Sequence, residues 1–346
     1  MKTRKLKLGG DRLKSEKQLQ NIAEQTVLPI IAAPMFLVSG PELIIACCKN
    51  GVISSFPAPN ARTIEQLEQW MKTITEELEL TKSQQPELPV APWAANIIAH
   101  RSYDRLEQEL ELLVRYKPPI VITALGSPAK VVDAVHDYGG LVFADVNSIK
   151  FAKKAAETGV DGLILVSAGA GGHTGTITGF AFVEAVRQFW DGIIVLAGGI
   201  SSGKSILSAQ TLGANLVYMG TSFIASEESM ANIEYKKMLT EAKFDDIIST
   251  NAFTGVYANM LKPSIERAGL DVDKLVPKDK IDFSNPQGDT KAWKDIWSAG
   301  HGVGTIKEVQ PVKKIIEKLR QEYAEAYEEI KNNNQWIPQK EKERFI

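Results

Sequence analysis

Cysteine is almost missing from this chain of 346 residues, which has two, Cys47 and Cys48. They are adjacent in an apolar segment, IIACCKN, and cannot easily pair with each other. A disulfide framework is therefore excluded, and both read as reduced core residues of a cytoplasmic protein. Neither has His or Cys partners at metal-ligand spacing, so no metal site is supported. No run approaches the roughly 20 apolar residues of a membrane span, and the start lacks the apolar stretch of a signal peptide. An excess of one charge is lacking too. Lys and Arg number 40 against 42 Asp and Glu, a net charge of −2 that argues against nucleic acid or an anionic membrane as partner. The basic start (Lys2, Arg4, Lys5, Lys7) reads as a solvated tail. There is no GxSxG nucleophile elbow. GGISSGKS has the wrong glycine spacing for a phosphate-binding P-loop.

What the chain does have is a rhythm. Short apolar strands are expected at 28–34, 51–56, 91–97, 119–125, 140–146, 160–166, 192–198 and 214–220, each followed by a helical segment. Strands that lack polar alternation are the kind buried on both faces. Eight consecutive strand–helix units predict a (β/α)₈ TIM barrel. An open doubly wound sheet would carry a glycine fingerprint after its first strand, where this chain has Pro34-Met35. From 227 to 294 the alternation stops, which predicts a small, mostly helical insertion after the eighth strand. The barrel would then comprise 1–226 and 295–346, with a closing helix over 312–331. An insertion at that point should rise from the C-terminal face as a lid.

In such a barrel the loops after the strands carry the chemistry. That rule selects Ala33, Pro34 and Met35, then Asn96, Thr123, Asp145 and Asn147. It continues with the loop containing Gly171, Gly172 and His173, with Gly198, Gly199, Ile200 and Ser201, and with Met219, Gly220 and Thr221. The glycines after strands seven and eight would place backbone N–H groups at two helix starts, the usual phosphate position of this fold. His173 is the one histidine inside the central glycine loop, AGAGGHTG, where an imidazole can act as base or donor. His100 lies near the barrel mouth and His301 in a late glycine loop, SAGHGVG. His136 reads as a surface or helix-end residue.

Taken together, AAPM (32–35), AAN (94–96), AGAGGHTG (168–175), AGGI (197–200), YMGT (218–221) and SAGHGVG (298–304) resemble the nitronate monooxygenase family. That resemblance implies an FMN-dependent barrel with a small lobe near the C-terminus. The implied reaction oxidises alkyl nitronates with O₂ to a carbonyl compound and nitrite. It also implies that Met35, Asn96, Gly198, Gly199, Gly220 and Thr221 hold FMN, and that His173 is the base. Many relatives have Glu where this chain has Gly169 and Gln where it has His301, which bears on substrate range. The partners expected are a nitroalkane or its nitronate and O₂, with a homodimer left open. An NAD(P)H-using flavin reductase acting on an enoyl thioester or quinone is the rival on the same fold, and a flavin-free barrel binding a phosphorylated metabolite is the third reading.

Overall fold

Strands that are apolar at every position must be covered on both faces, and a closed parallel barrel ringed by helices does this. In the computed structural model, which describes residues 8–278 and 293–332, eight parallel strands close into such a barrel. They are Ile30–Ala32, Ile53–Pro57, Trp93–Ile98, Ile120–Ala124, Leu141–Val146, Gly162–Val166, Ile193–Ala197 and Leu216–Met219. Closure joins the first strand to the eighth, with Ile31 opposite Tyr218 and Ala32 opposite Met219.

Side chains alternate between two cores. Ile31, Ile53, Ile122, Phe143, Ile164 and Val195 fill the barrel interior. Ile30, Phe56, Val121, Val142, Leu163 and Val217 face outward against helix residues such as Leu67, Met71 and Leu113. Gly162 is glycine because of Phe143: a Cβ there would lie 2.7 Å from the Phe143 ring. The closing helix, Val312–Asn332, lies on helix Gly203–Leu212, and the Gly203 amide donates to Glu322 Oε2 at 2.9 Å.

The N-terminal end of the barrel is plugged. Ile22 and Leu19 of helix Leu8–Ala23 pack against the interior cluster. Beside them sits Asp161, whose carboxylate is enclosed. Its Oδ1 accepts from Lys14 Nζ and Gln18 Nε2, both at 2.8 Å. Its Oδ2 accepts from the Val142 amide at 2.9 Å and meets His136 Nε2 at 2.8 Å. His136 is thus a structural partner at a helix end. Burial pushes the Asp161 carboxyl up, but the Lys14, Val142, His136 and Gln18 hydrogen bonds outweigh it and hold the group below its ordinary value.

At the opposite, C-terminal end, the segment after the eighth strand contributes helices Ile233–Glu241 and Lys262–Arg267. Between them is an antiparallel hairpin, Ile247–Thr250 with Ala258–Leu261, that the sequence did not announce. The hairpin takes a third strand from the central glycine loop: Ala258 pairs with His173 and Asn259 with Gly172. His173 therefore sits on a short ladder rather than in a free loop. The stretch VPKDKIDFSNPQGD lies outside the described residues from 279 onward.

Replacing Asp161 with Ala would leave the buried Val142 amide and the half-buried Gln18 and His136 without their acceptor, and would free the exposed Lys14. The expected loss is about 2–4 kcal/mol of folding stability, read by urea or thermal unfolding. A carboxyl held below its ordinary value stabilises the fold fully above that value and stops doing so as pH falls through the native one. The gap between wild type and variant should hold at neutral pH and close below about pH 4.

Candidate active site

Three glycine-bearing segments meet at the C-terminal mouth with backbone against backbone. The Gly169 carbonyl accepts from the Gly199 amide and from the His301 amide, both at 3.1 Å. A Cβ on Gly171 would stand 2.6 Å from Gly300 N. One on Gly169 would stand 2.9 Å from Gly199 N, so this position cannot carry a larger side chain unless the 198–199 turn moves. Gly198 and Gly199 have φ of 117° and 70°, in the left-handed region that favours glycine. A Cβ on Gly199 would meet no protein atom within 4 Å. That backbone faces open space that a ligand can approach.

Asn259, fully buried on the hairpin, fixes the central loop by donating from Nδ2 to Ala170 O at 2.7 Å and Ala168 O at 2.9 Å. Asn60 does the same for the first loop. Its Nδ2 donates to Met35 O and Ser39 O, and its Oδ1 accepts from the Leu37 amide. Sequence reasoning singled out neither. An amide enclosed by apolar residues, as in YANML, was the one available signal for Asn259.

The loops enclose a cavity of about 970 Å³. Ala33, Pro34, Met35, Asn96, Asp145, Gly171, Gly172, His173, Gly198, Gly199, Ile200, Gly220 and Thr221 all line it. Two other expected residues do not. The Thr123 hydroxyl donates to Phe143 O at 3.3 Å between strands, and Met219 packs into the outer core. His100 and His301 are exposed outside the lining, His100 meeting Ser102 Oγ through Nδ1 at 2.7 Å. Asn147 is exposed and also outside the lining. The helix after the seventh strand runs Gly203–Leu212 with Ser202 as its N-cap. Its Ser201 and Ser202 amides donate to Ser205 Oγ, at 3.1 and 3.0 Å, and are already occupied. Thr221 Oγ1 accepts from the Gly300 amide at 2.9 Å, which leaves its O–H to donate.

Phe253, Thr254, Trp293 and Lys294 bring the inserted segment over the same cavity. His173 Nε2 meets Thr254 Oγ1 at 3.3 Å, and the ring stands edge-on to Trp293 with centroids 5.3 Å apart. The Thr254 hydroxyl lies within reach of Val256 O at 3.2 Å as well, so in the tautomer that carries its proton on Nε2 the ring donates to Thr254 while that hydroxyl donates to the carbonyl. Burial pulls His173 down to about 4, so the ring is neutral at ordinary pH. Leu37, Leu125 and Trp293, with φ of 63°, 53° and 69°, are bulky residues in a region they rarely adopt, and all three line the cavity. Strain of this kind concentrates at functional sites.

The donor set suits a flavin mononucleotide. Bare glycine backbone and the Thr221 hydroxyl stand where a phosphate could approach, the lining is otherwise largely apolar, and Asp145 Oδ1 and the Tyr218 hydroxyl have no hydrogen-bond partner among the described residues.

Asn259→Ala should remove both loop hydrogen bonds while leaving the barrel closed. Amide exchange should speed up across 167–174 relative to the barrel strands, with a stability loss of about 1–3 kcal/mol. Unchanged exchange in that loop would show that its shape does not depend on Asn259.

Similarity to known proteins agrees with this geometry. A nitronate monooxygenase from Neurospora crassa is 25% identical over 348 residues, covering 87% of this chain and 90% of that protein. The structure of FabK from Thermotoga maritima superposes with a TM-score of 0.74 at 23% identity, covering 92% of this chain and 99% of that one. The nitroalkane oxidase from Streptomyces ansochromogenes gives 0.71 at 22% identity, covering 89% and 99%. The two structures speak to the fold. A family model described as nitronate monooxygenase matches residues 17–322, and the chain belongs to the nitronate monooxygenase family.

Proposed function

We propose that the protein oxidises alkyl nitronates, and the nitroalkanes that yield them, with O₂ to a carbonyl compound and nitrite, using FMN as cofactor and His173 as the base. The observation that carries this is the position of His173: a neutral imidazole lining the same cavity as the bare backbone of Gly198 and Gly199. When bound, FMN would supply the two-electron acceptor that the protein's own side chains lack.

The remaining work falls to the chain. Gly198, Gly199, Ile200, Gly220 and Thr221 would hold the phosphate, and Ala33, Pro34, Met35, Asn96, Gly171 and Gly172 would bound the rest of the cofactor. His173 would take the α-proton of a nitroalkane at Nδ1 while Nε2–H stays on Thr254. A buried imidazole is a weak base for this task, but the imidazolium it becomes is paired with the nitronate just formed, and that pairing restores part of the lost solvation. Trp293 and Phe253 would keep water from the reacting atoms, which is the lid role of the segment after the eighth strand.

Three measurements test the reading. The purified protein should carry or take up FMN, and an alkyl nitronate should bleach it anaerobically where NAD(P)H alone does not. Bleaching by NAD(P)H would replace this reading with a flavin reductase. Gly199→Ala, which puts a methyl group where the structure is open at the cost of some backbone strain, should bind FMN more weakly while circular dichroism shows a folded barrel. His173→Asn should lose about 10²–10⁴-fold in kcat/KM on the neutral nitroalkane and clearly less on the preformed nitronate. Because burial sets the imidazole near 4, the neutral base form persists as pH falls from 7 to 5. Activity on the neutral nitroalkane should therefore drop only near pH 4, not near the ordinary histidine value of about 6.5.

A further inference from the structure

Two polar side chains that line the cavity each carry an enclosed oxygen with no hydrogen-bond partner among the described residues. Asp145 lies two residues beyond Phe143 on the fifth strand and shares its inward face. Tyr218, on the eighth, packs against the same interior cluster. Both line the cavity, and Asp145 Oδ1 and the Tyr218 hydroxyl oxygen are enclosed with no hydrogen-bond partner among the described residues. Beneath them the barrel is hydrocarbon, from Ile31, Ile53, Phe143 and Ile164. An enclosed polar atom without a partner costs about 1–3 kcal/mol, so one that persists beside a cavity marks where an occupant completes it.

Asp145 sits deep in the protein and is open only toward the cavity. Burial pushes its carboxyl up to about 7. Burial, and then the charge of Asp145, push the Tyr218 phenol far above its ordinary range, so it remains an O–H. The other titratable groups on the cavity lining are Arg62, His173, Tyr235 and Lys294, and none of them ion-pairs with Asp145 among the described residues.

We propose that Asp145 and Tyr218 are a pair of O–H donors to the bound flavin, with Asp145 held as the neutral carboxylic acid. This rests on the flavin reading above. A ring seated over the floor displaces the last solvent next to the carboxyl, which favours its uncharged form. The protonated acid offers one O–H and the phenol another, and the ring's two carbonyl oxygens and its unprotonated nitrogens are acceptors. A bound flavin that accepted electrons from a nitronate would gain negative charge on its ring. Donors already in place stabilise it without rearrangement, whereas a carboxylate would repel it. The proton balance is simple: above neutral pH, Asp145 takes one proton from solvent as FMN binds and keeps it while electrons arrive, so no proton passes from Asp145 to the ring.

The test measures FMN binding to the flavin-free protein by fluorescence quenching from about pH 7 to 9, with wild type, Asp145→Asn and Tyr218→Phe. Calorimetry of wild type in two buffers of different ionisation heat counts the protons. Wild-type affinity should fall toward about tenfold per pH unit above pH 7, with close to one proton taken up per FMN. Asp145→Asn should show no such slope. Tyr218→Phe should keep the slope, with affinity lowered about three- to tenfold. A flat wild-type profile without proton uptake would overturn the proposal, as would an undiminished slope in Asp145→Asn. The calorimetric count needs no variant, so it stands even if a substitution impairs folding. Failure to bind FMN at any pH is a distinct result and would overturn the flavin reading itself.

Discussion

The cavity depends on backbone touching backbone. Loops 168–173, 198–200 and 299–302 approach so closely that a single methyl group on Gly169 or Gly171 would collide with the next loop's main chain. The Gly169 carbonyl, shared between the Gly199 and His301 amides, holds the three together. Because no side chains intervene, these loops present peptide groups to the cavity instead of bulk, which is what an anionic ligand needs. Asn259 and Asn60 then fix the outer edges of the rim with side-chain amides that substitute for missing sheet or helix partners.

Enclosure also sets the site's electrostatics. His173 loses its positive charge to burial, and Asp145, under the same influence, is moved toward losing its negative one. One cavity thus works on acid and base in opposite pKa directions with the same result, groups held near neutrality. The other end of the barrel shows the contrast. Asp161 is just as enclosed, yet Lys14, Gln18, His136 and the Val142 amide satisfy it fully and keep it ionised. A carboxyl with every lone pair accounted for holds structure together, whereas one left open toward a cavity is available to a ligand.

The barrel was legible in the residues themselves. Two-sided burial of a parallel strand favours apolar runs over polar alternation, and eight such stretches are each followed by a helical segment, so Gly162–Val166 or Ile193–Ala197 could be read without coordinates. The glycine loops and His173 were legible for a related reason: glycine clusters after buried strands have few other uses. Thr123 and Met219 show where this reading fails. Adjacent positions at a strand's end point to opposite faces, and one residue of register decides between cavity and outer core.

Only the tertiary structure decided what depends on distant chain segments meeting. The hairpin Ile247–Thr250 with Ala258–Leu261 is too short and irregular to be recognised alone, and it is a sheet largely because residues 172–173 supply its third strand. His173 meets Thr254, 81 residues away, and stands edge-on to Trp293, still further along the chain. The sequence by itself determined a closed parallel barrel with its chemistry at the C-terminal mouth, because burial periodicity is a local property. What the imidazole meets, and which carboxyl is satisfied and which left open, followed from contacts between residues far apart in the chain, and no local pattern encodes those.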